Sequence, residues 1–565
     1  MEHKLAAINM KKIKWNLVLP VIHIVISWIY ESLFLKIGEL DSDLSVVLTP
    51  AYPSFISFGT EQAFMYIISK LFGCILVFVI WQIVFLLLRK KRILPFVLLL
   101  CGCALLLLYY PYNWLLEMDN LMVYAQAIRY YPDYWQSMLT GCIYNACLMV
   151  FHHAFFIPFI LTSFFLGALY YLSQKFRVHF GKKAVWIPYI VLVFPETYQL
   201  MVNPYRNCIY AVFCIWFFSL LAFDFIEKRV YNTGRLVLMS GIALILTVLR
   251  TEGIFFAVLF VILLLWQIKG QVKKMAAYAG GFALLALFLM VPQKLGEAKY
   301  FGNDYMIANY INLICSCIND EKADFSYSGA EEDIKAIETV VPMEVIGYNG
   351  LMSYYDYNLK ERGSMNQSFA TEEEQKAFLK AGLRLFSHNL PNVLYNRIRY
   401  FASANGISGL SYEFKYPSSE EIRAVLALRS TFGINEILAT DRAPALAAWG
   451  VDSTHDTMFT YFYYVVDQWD TILKHTRIFF ISRVLALCML VLVIVNSFKQ
   501  KERKEAAAGL VLLLMWCIII AFSPEAREAY YYPVYYASLI WSVVFLWRDV
   551  AAASKEQSTE DKTEE

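Results

Sequence analysis

Long apolar runs separated by short polar turns dominate the chain from residue 15 onward. A helix needs about 20 apolar residues to span the hydrocarbon of a bilayer. The pattern predicts spans at 15–35, 64–88, 93–112, 153–174, 184–202, 207–226, 235–249, 254–267, 275–292, 476–497, 506–523 and 530–547. Two of these, 235–249 and 254–267, are short and form either a tilted hairpin or one bent element. The pattern therefore predicts an all-α polytopic membrane protein with about twelve transmembrane helices.

Lysine and arginine gather in the turns between these runs, and their side predicts the orientation. The clusters are Lys11–Lys14, Arg89–Arg92, Lys175–Lys183, Lys228–Arg235, Lys269–Lys274 and Lys499–Lys504. Threading the spans in order places every cluster on the N-terminal side of the membrane. We therefore expect both termini, and the acidic tail 549–565, to be cytoplasmic. No small-residue cleavage site follows the first run, which indicates a retained span rather than a signal peptide.

Three polar segments then fall on the outer side. They are 36–63, the aromatic-rich loop 113–152, and 293–475, which alone has the composition of a soluble domain. Within the loop, the apolar piece 137–151 is too short for a span and is expected to lie along the outer leaflet. Within 293–475, Arg397 and Arg399 stand among aromatic residues, as suits an element on the membrane surface.

These features predict a division of the chain into five parts. The parts are 1–112, the N-terminal transmembrane helices; 113–292, the transmembrane core with its outer loop; 293–475, an extracytoplasmic, mainly helical domain; 476–548, the C-terminal transmembrane helices; and 549–565, the cytoplasmic tail.

Composition supports the membrane class. Apolar residues make up 59% of the chain, charged residues 17%, and mean hydropathy is +0.48. Soluble chains carry about 25% charged residues. The net charge of +2 argues against a nucleic-acid partner, which needs a clustered basic face. The eleven cysteines include no CxxC pair, and most lie in apolar runs as small hydrophobes.

The loop 113–152 carries the first candidate chemistry. Asp119 begins an amphipathic helix, with Asn120 beside it and Gln126 two turns on, on nearly the same face. A carboxylate at the outer membrane surface suits a general base or a metal contact. The alternative is an acid in the first helical turn that complements the helix dipole.

Further ionisable residues stand at span ends on the same outer side. They are Arg206, Arg250 with Glu252, and Arg527, which shortly precedes Tyr531. Arginine binds phosphate well because its planar fork contacts two oxygens. The alternative is snorkelling to the interface, or structural ion pairs such as Arg250 with Glu252. The chain has no Walker loop, GxGxxG or zincin motif.

The order of these features resembles the GT-C class of polytopic glycosyltransferases, and an uncharacterised bacterial branch in particular. The likeness covers roughly 110–545. It rests on Met118-Asp119-Asn120, Tyr124 to Ala127, Pro132 to Phe151, Lys175-Phe176-Arg177, Asn203 to Ala211, Leu249 to Ile254 and Glu525 to Tyr530. Two departures stand out. Pro132-Asp133-Tyr134-Trp135 stands where the class usually has a His-Pro-Pro-like entry to the juxtamembrane helix. Thr251-Glu252 stands where the bacterial branch has Asn-Asn in an Arg-Asn-Asn-Gly stretch.

The resemblance implies transfer of a sugar from a polyprenyl-phosphate carrier to a glycan, lipid or protein acceptor on the outer face of a cell membrane, with a bacterial envelope as the preferred setting. Asp119 would activate the acceptor hydroxyl, directly or by holding a divalent cation such as Mg²⁺ or Mn²⁺. Our own extension assigns the donor phosphate to Arg206, Arg250 and Arg527. The remaining predicted contacts to the donor phosphate or the acceptor are Asn120, Gln126, Glu252 and Tyr531. No soluble nucleotide sugar or certain cofactor is implied.

Two other classes remain open. A transporter or flippase of a lipid-linked or small solute often has repeated halves and charges at the bilayer midplane, and the sequence shows neither. A catalytically silent scaffold for envelope glycan assembly is compatible with the two motif departures.

Overall fold

The computed structural model describes most of the apolar runs and part of the polar segment 293–475. The described residues are 14–34, 60–89, 97, 100–101, 118–128, 130–152, 155–194, 197, 200–201, 203–267, 271–301, 304–341, 371–405, 478–523 and 528–564. Most of the predicted span 93–112 and of the loop 36–63, together with Arg527, lies outside this part of the chain.

Within these ranges 87% of the residues are helical and none lies in a strand. The helices are α1 (Trp15–Phe34), α2 (Thr60–Arg89), α3 (Met118–Ala127), α4 (Met138–Val150), α5 (Phe156–Phe180), α6 (Arg206–Ile226), α7 (Thr233–Leu249), α8 (Ile254–Gln267), α9 (Val272–Tyr300), α10 (Asp304–Ile318), α11 (Ala330–Val340), α12 (Glu372–His388), α13 (Leu390–Ala404), α14 (Ile478–Lys499), α15 (Arg503–Phe522) and α16 (Tyr532–Glu564).

Several of these helices are long and apolar, which is consistent with a membrane protein. Five in the described part are long and apolar enough to cross a bilayer: Thr60–Leu88, Phe156–Phe180, Arg206–Ile226, Val272–Tyr300 and Arg503–Phe522. Helix α9 shows why they suit lipid, because its Leu284 and Leu287 are 70% and 57% exposed. Apolar side chains exposed in such numbers on one helix favour a lipid or protein neighbour over water.

The most enclosed of these helices is α6, which packs against α16, α5 and α7. Phe217 and Phe218 of α6 are fully buried, and Phe218 meets Trp541 of α16 edge to face at 5.8 Å. Helix α6 thus forms the centre of the bundle. At about 1.5 Å per residue its 21 residues measure about 30 Å, the thickness of a bilayer core.

Basic side chains cluster where α6 ends. Glu227 there binds Lys175, His179 at 3.1 Å and Arg229 at 2.9 Å. Arg235, at the start of α7, binds Asp224 at 2.8 Å. This basic end of the bundle lies one helix length from Arg206, the first residue of α6.

Helix α4 corrects one expectation. Residues 137–151 were expected to lie along the outer leaflet, but nearly every side chain of α4 is buried inside the protein. Most of its packing is against α2, where Gly73 leaves room for the Met149 side chain. Asn145 also donates to Ser69 of α2 at 3.2 Å. The short helix covers α2 rather than lipid because its two ends are tied into the core.

The predicted span 184–202 also differs from a regular α-helix. Residues Lys182–Val193 form a 3₁₀ helix that contains Pro188. Proline has no N–H to donate, so it interrupts α-helical hydrogen bonding. The segment contacts the bundle at Thr197, whose hydroxyl shares a hydrogen bond of 2.8 Å with the Tyr536 hydroxyl of α16.

The N-terminal helices are fastened to the core by polar contacts. Glu31 of α1 pairs with Lys70 of α2, and the Tyr130 hydroxyl donates to Glu31 at 2.6 Å. Further along α1, Ser27 bonds to His152 at 3.0 Å. The hairpin α1–α2 is therefore joined to the residues on both sides of α4.

Helices α10 to α13 build a second core. Ile311, Ile337, Phe378 and Leu385 are completely buried there. Helix α12 begins with a capping box, in which Thr371 and Glu374 satisfy each other's backbone N–H groups. These helices belong to the predicted domain 293–475, although α9 continues through residue 293 to Tyr300.

Candidate functional site

Asp133 lies within electrostatic range of Asp119 and Arg206 near the start of α6, and we name these three residues the carboxylate cluster. Asp119 lies in the first turn of α3, and Asp133 lies in the loop between α3 and α4, with 3% of its surface exposed. Burial, with the charge of Asp119 adding to it, raises the pKa of Asp133 to about 6 against backbone hydrogen bonds and Arg206. Asp133 was noted in the sequence only as a departure from a family motif.

The loop that carries Asp133 is held in a strained conformation. Tyr130 and Ser137, at its two ends, have φ of 58° and 86°, which side chains other than glycine rarely adopt. Asp133 stabilises the turn by accepting the Gln136 backbone N–H at 2.8 Å. Gln293 of α9 closes it, donating to the Tyr134 carbonyl at 2.7 Å and accepting the N–H of residue 138 at 2.8 Å. Strain of about 1–3 kcal/mol per residue persists only where neighbours over-determine the backbone.

Asn120 links α3 to the turn before α6. Its side chain donates to the Asn203 side chain at 2.7 Å, and the same Asn203 oxygen accepts the Tyr205 N–H at 3.1 Å. The Tyr144 hydroxyl donates to the Pro204 carbonyl at 3.1 Å. Asn120, a predicted substrate contact, thus joins α3, which carries Asp119, to the turn that precedes Arg206.

Two buried side-chain amides, close in sequence to Asp119 and Arg206, have donor and acceptor atoms that are not hydrogen-bonded to any described residue. Gln126 lies seven residues after Asp119 on α3, and Asn207 follows Arg206 on α6; they are 1% and 0% exposed. Neither amide has a hydrogen-bond partner within the described part of the chain. Since buried polar groups are normally bonded, these amides favour a polar ligand at this end of the bundle.

Arg250 and Glu252 form a second cluster, built on the turn between α7 and α8. The two side chains form an ion pair, which the sequence analysis gave as the alternative to phosphate binding by Arg250. The Arg250 guanidinium lies between the rings of Tyr210 and Tyr530, 5.8 and 5.6 Å from their centroids. Tyr210 is four residues after Arg206 on α6, so the two clusters are neighbours along one helix face.

Tyr531 lies in neither cluster. It is buried, and its ring packs 5.6 Å from Phe401 and 5.8 Å from Trp516. Two buried arginines, Arg397 and Arg483, lie within electrostatic range of it. The sequence pattern placed Arg397 at the membrane surface and did not single out Arg483.

No group of three or more His, Cys, Asp or Glu side chains in the described part of the chain is placed to hold a metal ion. His152 instead stacks on Tyr30 at 5.0 Å and bonds to α1.

The fold and the clusters define an all-helical protein with several long apolar helices and buried charge at one end of its central helix. No known protein family, curated protein or solved structure matches the chain.

Proposed function

We propose that the protein is an integral membrane glycosyltransferase of GT-C type that moves a sugar from a polyprenyl-phosphate carrier to an envelope acceptor. One observation carries the proposal. Asp119 and Asp133 interact electrostatically beside Arg206, and the pKa of Asp133 is raised by burial to about 6. A buried carboxylate that titrates near neutral pH beside a second carboxylate lets the pair take up a proton in a transfer reaction, with Asp133 setting the charge environment of Asp119.

The chemistry of such a transfer assigns a role to each member of the cluster. The acceptor hydroxyl oxygen attacks the anomeric carbon of the sugar, its proton passes to a carboxylate, and the bond from that carbon to the carrier phosphate breaks. Asp119 is the proposed base, and Asp133 is the second carboxylate that sets its charge environment. Arg206 would stabilise the negative charge that grows on the leaving phosphate.

The proposed sidedness follows from the two ends of α6. The basic end, with Lys175 and Arg229, lies about 30 Å from the carboxylate cluster along this helix. By the positive-inside rule the basic end faces the cytoplasm, and the cluster then faces outwards. We accordingly propose about twelve spans, both termini in the cytoplasm, and α10–α13 outside.

The activity test uses the purified full chain and a panel of polyprenyl-phosphate sugars. Asp119→Asn should lower turnover by about 10²- to 10⁴-fold, the usual contribution of a positioned base. Glu331→Gln, which removes an exposed carboxylate on α11, is the matched control and should keep turnover. Turnover that survives Asp119→Asn removes Asp119 from the mechanism. Absence of turnover with every donor favours the silent scaffold.

A separate experiment tests sidedness. Single cysteines introduced at positions 331 and 373, which are exposed on α11 and α12, should react with an impermeant thiol reagent in intact cells. A cysteine at position 229 should react only after permeabilisation. The reverse pattern would overturn the proposed orientation without bearing on the chemistry of the carboxylate cluster.

A further inference from the structure

Helix α13 has its apolar and polar faces reversed relative to a helix on a water-soluble protein. Leu390, Leu394 and Ile398 form a stripe that is 54–62% exposed. Beside this stripe, on the side of the helix that faces the protein, Arg397 is only 3% exposed and Tyr400 is buried. An exposed apolar stripe of this kind is expected of a helix that lies at a bilayer surface.

The Arg397 guanidinium is only partly satisfied by the protein. Its Nη1 donates to the Ser523 carbonyl at 2.6 Å, and its plane lies 4.4 Å from the Tyr400 ring centroid. Its Nε and Nη2 have no hydrogen-bond partner in the described part of the chain. These two nitrogens form the side-on fork by which arginine binds two oxygens of one anion.

The described carboxylate nearest in sequence to Ser523 leaves that fork available. Glu528, the nearby carboxylate, is bound instead to Arg483 at 2.8 Å. Arg483 also donates to the carbonyl of residue 404, at the end of α13, at 2.9 Å. Burial lowers the pKa of Arg397, and among the described residues only Tyr400 and Tyr531 act against this effect.

Tyr531 supplies a third donor. Its hydroxyl is buried and has no partner among the described residues, and it interacts electrostatically with both Arg397 and Arg483. A buried hydroxyl beside an arginine fork matches a tetrahedral oxyanion, which presents more oxygens than the fork alone can contact.

We propose that Arg397 and Tyr531 bind a phosphate group at the junction of α13, the end of α15 and the start of α16. The Arg397 fork donates two hydrogen bonds and the Tyr531 hydroxyl a third. This site is built on helices other than those of the carboxylate cluster and does not depend on the transferase proposal. The phosphate comes either from a lipid headgroup, as the apolar stripe of α13 favours, or from solution.

The test measures ligand-induced thermal stabilisation of the purified full chain in neutral detergent. Inorganic phosphate is titrated in one arm; phosphatidate and diacylglycerol with the same acyl chains are compared in the other. Stabilisation by inorganic phosphate identifies a soluble anion, and stabilisation by phosphatidate alone identifies a headgroup. If neither phosphate stabilises the protein beyond diacylglycerol, the proposal is wrong.

Three variants locate the effect. Arg397→Gln should abolish the stabilisation, while Arg399→Gln, a half-buried arginine two residues along α13, should leave it intact. Tyr531→Phe removes only a hydroxyl that bonds to no described residue, so it should fold even where Arg397→Gln does not. It should weaken phosphate binding about tenfold, as expected for one hydrogen bond to a charged group. Equal binding by Tyr531→Phe and wild type, or equal loss in Arg399→Gln and Arg397→Gln, would place the phosphate elsewhere.

Discussion

Asp133→Asn isolates the energetic cost of burying a carboxyl group in the carboxylate cluster. Asparagine is nearly the same size and keeps a side-chain oxygen to accept the Gln136 N–H. What it removes is the ionisable group, whose pKa is raised to about 6 by burial and by Asp119. The variant therefore keeps the hydrogen bond that stabilises the turn and removes only the titration of the Asp133 carboxyl group.

The magnitude follows from linkage between folding and protonation. In the unfolded chain Asp133 has an ordinary pKa of about 3.9. Because its folded pKa is higher, its protonation favours the native state fully below the unfolded pKa, and this contribution is lost as the pH rises through 6. A difference of about two pH units amounts to about 3 kcal/mol at high pH. About 1 kcal/mol is already lost at pH 4.5, so about 2 kcal/mol separates pH 4.5 from pH 7.5.

The assay compares unfolding of wild type and Asp133→Asn, as purified full chains in detergent, at these two pH values. The stability of the variant relative to wild type should increase by about 2 kcal/mol from pH 4.5 to pH 7.5. Asp324→Asn is a control that should show almost no change between these two pH values, because this carboxyl group titrates below pH 4.5 in both the folded and the unfolded chain. The pKa of Asp324 is lowered by hydrogen bonds from Ser326, so its contribution is lost as the pH falls. A constant offset between wild type and Asp133→Asn at both pH values would refute a raised pKa.

Two further perturbations test the packing around the cluster and the N-terminal hairpin. Gly296→Ala would place a methyl group 2.3 Å from the Tyr134 ring, so we expect the free energy of unfolding to fall by about 1–3 kcal/mol in a thermal assay. Gly280→Ala, which has open space on the same helix, should be neutral or slightly stabilising. Equal effects of the two substitutions would refute the contact. Lys70→Met leaves Glu31 buried without its cation and should lower the free energy of unfolding by about 3–5 kcal/mol. Adding Glu31→Gln to this variant should recover most of the loss. Strictly additive losses in a double-mutant cycle would contradict a coupled pair.

Local patterns in the sequence predicted the helices well because length and hydropathy are properties of contiguous residues. Helices are present at most of the described predicted spans, and α3 begins one residue before Asp119, as the amphipathic pattern indicated. The ion pair of Arg250 with Glu252 was also foreseen as an alternative, since only one residue separates them. Features that depend only on residues close together in the sequence could therefore be predicted from the sequence.

The missed features depend on contacts between distant segments. Asp133 is brought to Asp119 and Arg206 by a loop that Gln293, 155 residues beyond Met138, holds closed. No local pattern encodes such a contact, although an aspartate after proline and between aromatic residues was a visible signal. Likewise α4 reads as a surface piece by its length, and only its packing on α2 reveals that it is enclosed.

The pairing of Glu31 with Lys70 has a consequence for how the chain enters the membrane. In the proposed topology, each of these charged residues would oppose insertion if its helix entered the lipid alone. Neutralised by each other and by the Tyr130 hydroxyl, they favour joint entry of α1 and α2 over sequential entry. We therefore expect α1 to remain at the translocon until α2 has been synthesised. The first hairpin, rather than the first helix, would then be the unit of membrane integration.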